Sequence, residues 1–111
     1  MSPEESLQYI TTEIQHHTND GHWLAEKRVE LSGIYSYYSG LLESILFDRP
    51  DAWLKLRDGV KSDSSADKLW EATDGGKKET IYRLRLKRIE KLMSSMRTML
   101  SLLENELRNS S

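Results

Sequence analysis

The chain has 111 residues, 37% apolar and 31% charged, which is the ordinary composition of one small globular domain. It contains no cysteine, which excludes disulfide bonds and thiolate metal sites. The N-terminal segment lacks the basic start and apolar run of a secretory signal, and no stretch has the length and apolar character of a bilayer span. We therefore expect a cytoplasmic protein that makes no membrane contact.

The charges are distributed unevenly, although the formal net charge is only −2. Residues 1–60 contain ten Asp or Glu and five Lys or Arg, whereas residues 61–111 contain eight acidic and eleven basic residues. Eight of these basic residues lie between positions 77 and 97, where only two acids accompany them. This basic segment is the main chemical asymmetry of the chain.

The first predicted helix covers about residues 3–47. Ser2 is suited to the N-cap, Pro3 to the first helical position, and the acids Glu4 and Glu5 to the positive end of the helix dipole. Apolar positions then recur at spacings of three and four residues. Because this spacing continues through Asn19-Asp20-Gly21, which is also a typical turn sequence, both a break and a kinked continuous helix near 19–21 remain open.

Shorter elements are predicted to connect this helix to a second long one. Pro50 predicts the end of the first helix, because the residue before a proline is pushed out of the helical region. Helices of about 50–57 and 65–73 follow, and Asp74-Gly75-Gly76 indicates a turn. A long helix of about 77–108 completes the chain. The prediction is a single all-α domain over 1–111, a long antiparallel helical hairpin with two short connecting helices.

Residues 81–100, IYRLRLKRIEKLMSSMRTML, begin with a strand-like alternation but are better explained by a helix. Positions three and four residues apart form a wide apolar face over several turns. Arg85 lies on that face, where a buried unpaired charge would be costly. Either an acidic partner or exposure at a point where the helices separate would explain it.

The basic segment is the leading candidate for a binding site. Arg83, Lys87, Arg88 and Lys91 are spaced by three and four residues and share a helix face outside the apolar stripe. Such a face suits phosphate groups, because each neutralised phosphate releases counterions. The alternative is a solvated or salt-bridging helix face whose charges balance those of the acidic first half. In SGIYSYYSG, residues 32–40, Tyr37 lies outside the apolar stripe and is available to stack on a nucleic-acid base.

Metal binding and catalysis find little support. His17 and Glu13 are spaced as two ligands on one helix face, but His16 and His22 complete no metal-site pattern with them. No phosphate-binding glycine loop or nucleophile motif is present. We expect no metal, no cofactor and no enzymatic activity.

Three short motifs resemble a known family. Lys27-Arg28-Val29-Glu30-Leu31, Tyr37-Tyr38-Ser39-Gly40 and Ser65-Ala66-Asp67 are similar to segments of the phage recombination mediators of the UvsY type. The resemblance implies a helical, oligomeric protein that binds single-stranded DNA and helps to load a recombinase. It also implies that Lys27 and Arg28 contact the DNA.

The predicted function is that of a nucleic-acid-binding accessory protein, in the narrower form a phage single-stranded-DNA recombination mediator. The alternative is an oligomeric helical subunit for protein interaction or assembly, such as a phage structural protein or a host-directed inhibitor. Both predict a homo-oligomer. The predicted nucleic-acid-binding residues are Lys27, Arg28, Tyr37, Arg83, Arg85, Lys87, Arg88 and Lys91.

Overall fold

The structure, a computed structural model, describes residues 1–110. These residues form four α-helices and one short 3-10 helix, with no β-strand among them. The predicted all-α class is confirmed. Among the described residues, no helix is both long enough and apolar enough to cross a membrane. The elements are α1 (Pro3–Glu13), the 3-10 helix (Ile14–His16), α2 (Gly21–Asp58), α3 (Asp63–Ala72) and α4 (Asp74–Asn109).

Asn19-Asp20-Gly21 separates α1 from α2, so the structure contains a break rather than a kinked continuous helix. Asp20 caps the new helix, because its Oδ1 accepts a hydrogen bond of 3.0 Å from the backbone N–H of Trp23. The His17 ring stacks on Trp23 with 4.2 Å between ring centroids. The turn chemistry of this segment therefore outweighs the continuous apolar spacing.

The predicted helix end at Pro50, and with it a separate helix over 50–57, is wrong. α2 continues through Pro50 to Asp58. A proline inside a helix removes one backbone hydrogen bond and its ring crowds the carbonyl of the residue four positions earlier, so the helix needs support from other contacts. Side-chain contacts hold the helix on both sides of it: Arg49 lies 3.3 Å from Glu79, and Trp53 Nε1 donates to Asp67 over 2.8 Å.

The turn predicted at Asp74-Gly75-Gly76 is also wrong, because these residues form the first turn of α4. The Thr73 hydroxyl accepts a 3.0 Å hydrogen bond from the Gly76 N–H and so caps the helix. A Cβ atom at Gly76 would overlap the backbone carbonyl oxygen of Trp70. The glycine therefore permits the close approach of α3 and α4 rather than a turn.

The contacts divide the chain into two compact units, and the prediction of a single domain over 1–111 stays a prediction. Unit 1 contains residues 1–37 and the described residues from Lys87 onwards, and unit 2 contains Tyr38–Leu86. The buried apolar residues of unit 1 are Leu7, Ile10, Leu24, Leu31, Ile34, Ile89 and Met96, and those of unit 2 are Tyr38, Ala66, Trp70 and Leu86.

The segments of α2 and α4 run antiparallel within each unit, as the predicted hairpin requires. In unit 1, a Cβ atom at Gly21 would lie 3.8 Å from Leu103, and Tyr35, further along α2, contacts Glu90, which is earlier in α4. In unit 2 the same order holds, because Tyr38 contacts Arg85 whereas Arg49 contacts Glu79. Each unit therefore places the side chains of two long helices opposite one another.

Candidate functional site

A groove of about 400 Å³ lies between α2 and α4 in unit 1. Each helix contributes one face to it, because the lining positions on each are three or four residues apart. The groove combines two cations, one carboxylate and several hydroxyl groups. It is lined by Arg28, Ser32, Tyr35 and Ser36 from α2, and by Glu90, Met93, Ser94 and Arg97 from α4.

Arg28 and Arg97 are the distinctive members of this groove. Neither forms an ion pair or a hydrogen bond with any side chain among residues 1–110. A guanidinium presents five N–H donors in a planar fork, which matches the oxygens of a phosphate or carboxylate. Two such groups on different helices give the groove the donors needed to bind an anion.

Tyr35 and Glu90 link α2 and α4 within the groove. The Tyr35 hydroxyl donates a hydrogen bond of 3.1 Å to Glu90 Oε1. This bond, together with the negative charge of the carboxylate, raises the pKa of Tyr35 above its ordinary value. The phenol thus holds the carboxylate at a groove that otherwise suits anions.

Lys27 and Arg28 are both predicted DNA contacts, but their surroundings in the structure differ. The Lys27 ammonium lies 2.9 Å from Glu30 and 3.8 Å from Glu26, and its side chain is only 16% exposed. It also lies over the Tyr9 ring, 5.7 Å from the centroid. The hydrogen bond to Glu30 raises the pKa of Lys27. Lys27 is therefore engaged within unit 1, whereas Arg28 is available.

Three further predicted residues lie on α4 in unit 1. Lys87, Arg88 and Lys91 are exposed, and none forms an ion pair with a residue that the structure describes. Tyr37, on α2 in the same unit, is 49% exposed. The exposure of these side chains is compatible with the predicted binding role, which stays a prediction.

The remaining two predicted residues, Arg83 and Arg85, belong to unit 2 and make contacts there. Arg83 Nε donates to Glu79 over 3.1 Å. Arg85 donates to the Tyr38 hydroxyl over 3.3 Å and lies over the Tyr38 ring, 5.2 Å from its centroid. Because Tyr38 is only 1% exposed, Arg85 covers a buried aromatic residue of the core.

Sequence reasoning missed Arg97 as a site residue, together with the groove serines. A signal was present, because Glu90, Ser94 and Arg97 follow one another by four and three residues and must share a helix face. What was missing was the position of Arg28 on the other helix. A single arginine on a charged helix face does not indicate an anion site. A second arginine on the opposite helix does.

A second groove, of about 530 Å³, lies in unit 2 between α2 and α3. It is more apolar than the first, and large apolar side chains of the same segment of α2 are exposed: Phe47 is 85% exposed and Leu54 57%. Its lining residues are Leu46, Arg49, Pro50, Trp53, Leu54 and Asp67.

The histidines lie around the α1–α2 break. His17 Nε2 is 3.8 Å from Glu13 and its Nδ1 is 3.6 Å from Asp20, whereas His22 approaches Glu26. Within residues 1–110, no group of three or more histidine or acidic side chains is arranged to hold a metal ion. These contacts therefore belong to the helix cap rather than to a recognisable metal site.

Neither the protein-family models, nor the curated proteins, nor the solved structures contain a match for this chain. The resemblance to the UvsY-type mediators therefore depends on three short motifs alone.

Proposed function

We propose that this protein binds single-stranded nucleic acid through unit 1 and has no enzymatic activity of its own. The observation that carries the proposal is the pair Arg28 and Arg97, which line one groove without an ion pair to residues 1–110. Guanidinium groups bind phosphate oxygens through short, charge-assisted hydrogen bonds.

The exposed cations of α4 enlarge this surface. Lys87, Arg88 and Lys91 add three positive charges to the two arginines, all within unit 1. If all five neutralise phosphates of a single strand, the logarithm of the binding constant should fall with the logarithm of salt concentration with a slope of about −3.5. Because the net charge of the protein is −2, binding should depend on this local cluster rather than on long-range attraction.

Aromatic side chains favour a single strand over a duplex. Tyr35 lines the groove and Tyr37 is exposed on the same helix. Unpaired bases can stack on aromatic rings, whereas the bases of a duplex are already stacked on one another. The narrower proposal, a phage recombination mediator, comes from the sequence resemblance and requires in addition that the protein bind a recombinase.

The test is a fluorescence-anisotropy titration of a labelled single-stranded oligonucleotide at low salt. Arg28→Glu/Arg97→Glu should weaken binding about ten-fold or more, because it reverses both positive charges of the groove. Lys55→Glu/Lys61→Glu is the matched control, since it changes the net charge equally at exposed lysines of unit 2. Circular dichroism should show both variants to be folded. Absence of wild-type binding at low salt, or equal losses in both variants, would contradict the proposal.

The apolar groove in unit 2 favours the second candidate function, a helical assembly subunit. Phe47 and Leu54 are largely exposed on α2, and the neighbouring acids Glu43, Asp48 and Asp51 form no ion pair with residues 1–110. An apolar surface with an acidic rim suits a second copy of this chain, whose exposed Ile81 and Leu84 follow Lys77 on α4, a lysine that forms no ion pair with residues 1–110. Such a contact joins two different surfaces and produces a ring or a filament.

Analytical ultracentrifugation tests this second candidate. Wild-type protein should sediment as an oligomer, and Phe47→Ser/Leu54→Ser should dissociate it to monomers because it removes the apolar contact. Val29→Ser is the matched control, since Val29 is 75% exposed but lies in unit 1. A monomeric wild-type protein, or an equal response to both changes, would remove the assembly role without affecting the nucleic-acid proposal.

A further inference from the structure

We infer that Glu90 makes the unit 1 groove selective for bases that donate hydrogen bonds, guanine above all, over thymine. The inference rests on the proposed function, because it assumes that a single strand occupies the groove. Glu90 is a carboxylate among the cations of the groove, and phosphate binding alone does not explain why it is there.

Glu90 is positioned to accept hydrogen bonds from a ligand. Its Oε1 accepts one from Tyr35 over 3.1 Å, and no other hydrogen bond or ion pair joins it to residues 1–110. Two carboxylate oxygens offer about four acceptor sites, so most of this capacity is unused. The bond to Tyr35 holds the carboxylate at the groove instead of leaving it to move freely in water.

A ligand made only of phosphate would be opposed by this carboxylate. A second negative charge beside Glu90 is repelled, and this repulsion offsets part of the attraction by Arg28 and Arg97. A nucleotide differs from free phosphate because it brings an anion and hydrogen-bond donors together. The two arginines can take the phosphate while Glu90 takes donors of the base, and a groove of about 400 Å³ lies within the range of small-ligand sites.

The four DNA bases differ in the donors that they offer to a carboxylate. Guanine presents N1–H and N2–H₂ side by side on its Watson–Crick edge, which matches both oxygens of a carboxylate. Cytosine and adenine each present one amino group, and acidic side chains are known acceptors for the cytosine amino group. Thymine presents a single N–H between two carbonyl oxygens, which repel a carboxylate. The expected order is therefore guanine first, cytosine and adenine next, and thymine last.

The experiment compares two labelled strands: oligothymidine, and the same strand with two central guanines, which are too few for a quadruplex. Wild-type protein should bind the guanine-containing strand about five-fold more tightly or better. Glu90→Gln should bind both strands more tightly, because it removes a negative charge from the groove, and should reduce the preference to within about two-fold. Glu43→Gln removes the same charge from unit 2 and should retain the wild-type preference.

The outcomes separate the two levels of the proposal. If the wild-type protein binds neither strand at low salt, the proposed function itself fails. If it binds both strands equally, or if Glu90→Gln keeps the full preference, the role of Glu90 is overturned while nucleic-acid binding stands. If Glu43→Gln loses the preference as well, the effect comes from net charge, and the inference also fails.

Discussion

Units 1 and 2 contain the same kinds of charged residue but use them differently. In unit 2, Glu79 accepts a hydrogen bond from Trp70 Nε1 over 3.2 Å and lies 3.3 Å from Arg49 and 3.1 Å from Arg83. One carboxylate thus joins α2, α3 and α4. In unit 1, Glu90 contacts Tyr35, and Arg28 and Arg97 remain without an ion pair to residues 1–110.

Exposure explains the difference between the two carboxylates. The Glu79 side chain is only 14% exposed, so the loss of its hydration must be compensated by donors from the protein. Glu90 is exposed and can be hydrated by water, so its neighbours need not pair with it. Arg49 and Arg83 therefore pair with the carboxylate that is removed from water, whereas Arg28 and Arg97 do not pair with the hydrated one.

The largest expected effect is on the packing of unit 2. Gly76→Ala should lower the free energy of unfolding by about 3 kcal/mol, because its Cβ would overlap the Trp70 backbone. Gly33→Ala should instead raise it by about 0.5–1 kcal/mol, since no neighbouring atom lies within 4 Å of the new methyl group. Guanidinium denaturation measures both. Similar changes in the two variants would show that the close approach of α3 and α4 is absent.

The next largest effect is the difference in stability between variants of the two carboxylates, Glu79 and Glu90. Glu79→Ala should lower the free energy of unfolding by about 2 kcal/mol, because it leaves Trp70 Nε1 and Arg49 without their acceptor. Glu90→Ala should change it by no more than about 0.5 kcal/mol, as is usual for exposed positions. Urea denaturation of both variants is the measurement. Equal losses would contradict the distinction between a structural and an available charge cluster.

A smaller effect concerns the salt dependence of nucleic-acid binding. Arg28→Ala/Arg97→Ala should reduce the steepness of the salt dependence by about 1.4, which corresponds to two phosphate contacts on a single strand. The free energy of unfolding should stay within about 0.5 kcal/mol of the wild-type value. Lys55→Ala/Lys61→Ala, with the same charge removed from unit 2, should leave the salt dependence unchanged. An unchanged slope in the arginine variant would exclude phosphate contacts in the groove.

The smallest effect is a pH dependence at the α1–α2 break of unit 1. The Trp23 N–H bond is the main reason that the pKa of Asp20 is lowered, and the nearby His17 contributes in the same direction. Because the folded-state pKa lies below the unfolded-state value, Asp20 stabilises the protein above the unfolded-state pKa, and this contribution is lost as pH falls through the folded-state pKa.

Asp20→Asn keeps an acceptor for the cap but cannot titrate. It should therefore flatten the fall in melting temperature between about pH 5 and pH 2. Asp51→Asn removes the same charge from unit 2 and is the matched control. Thermal unfolding followed by circular dichroism provides the measurement, and an unchanged acid dependence in Asp20→Asn would contradict the cap contribution.

Much of the helical structure could be predicted from short-range patterns. The Ser2 cap forms as predicted, since Ser2 Oγ accepts the Glu5 N–H over 3.1 Å and the Glu5 carboxylate accepts the Ser2 N–H in return. Pro50 and Gly76 were misread because each normally interrupts a helix. Here contacts with distant residues compensate for Pro50, and the proximity of Trp70 explains Gly76.

Among the predicted binding residues, the ion pairs of Lys27 and Arg83 could also be expected from local spacing. Lys27 and Glu30, and likewise Glu79 and Arg83, are three and four residues apart, so their pairing follows from helix geometry. The groove was not readable, because Arg28 and Arg97 are 69 positions apart in the numbering of the chain. Nothing in the spacing of one helix indicates which residue of another helix lies opposite.

Residues close together in the sequence are sufficient to predict the all-α class, the Ser2 cap and the concentration of cations on α4, and they leave a break and a kink near Asp20 as alternatives. These features depend on backbone hydrogen bonds and on side chains within one helical turn of each other. The packing of the helices within each unit then selects which cations form ion pairs and which remain available. That outcome depends on distances between side chains of different helices: Arg49 reaches Glu79, whereas Arg28 and Arg97 line a groove and reach no acid among residues 1–110.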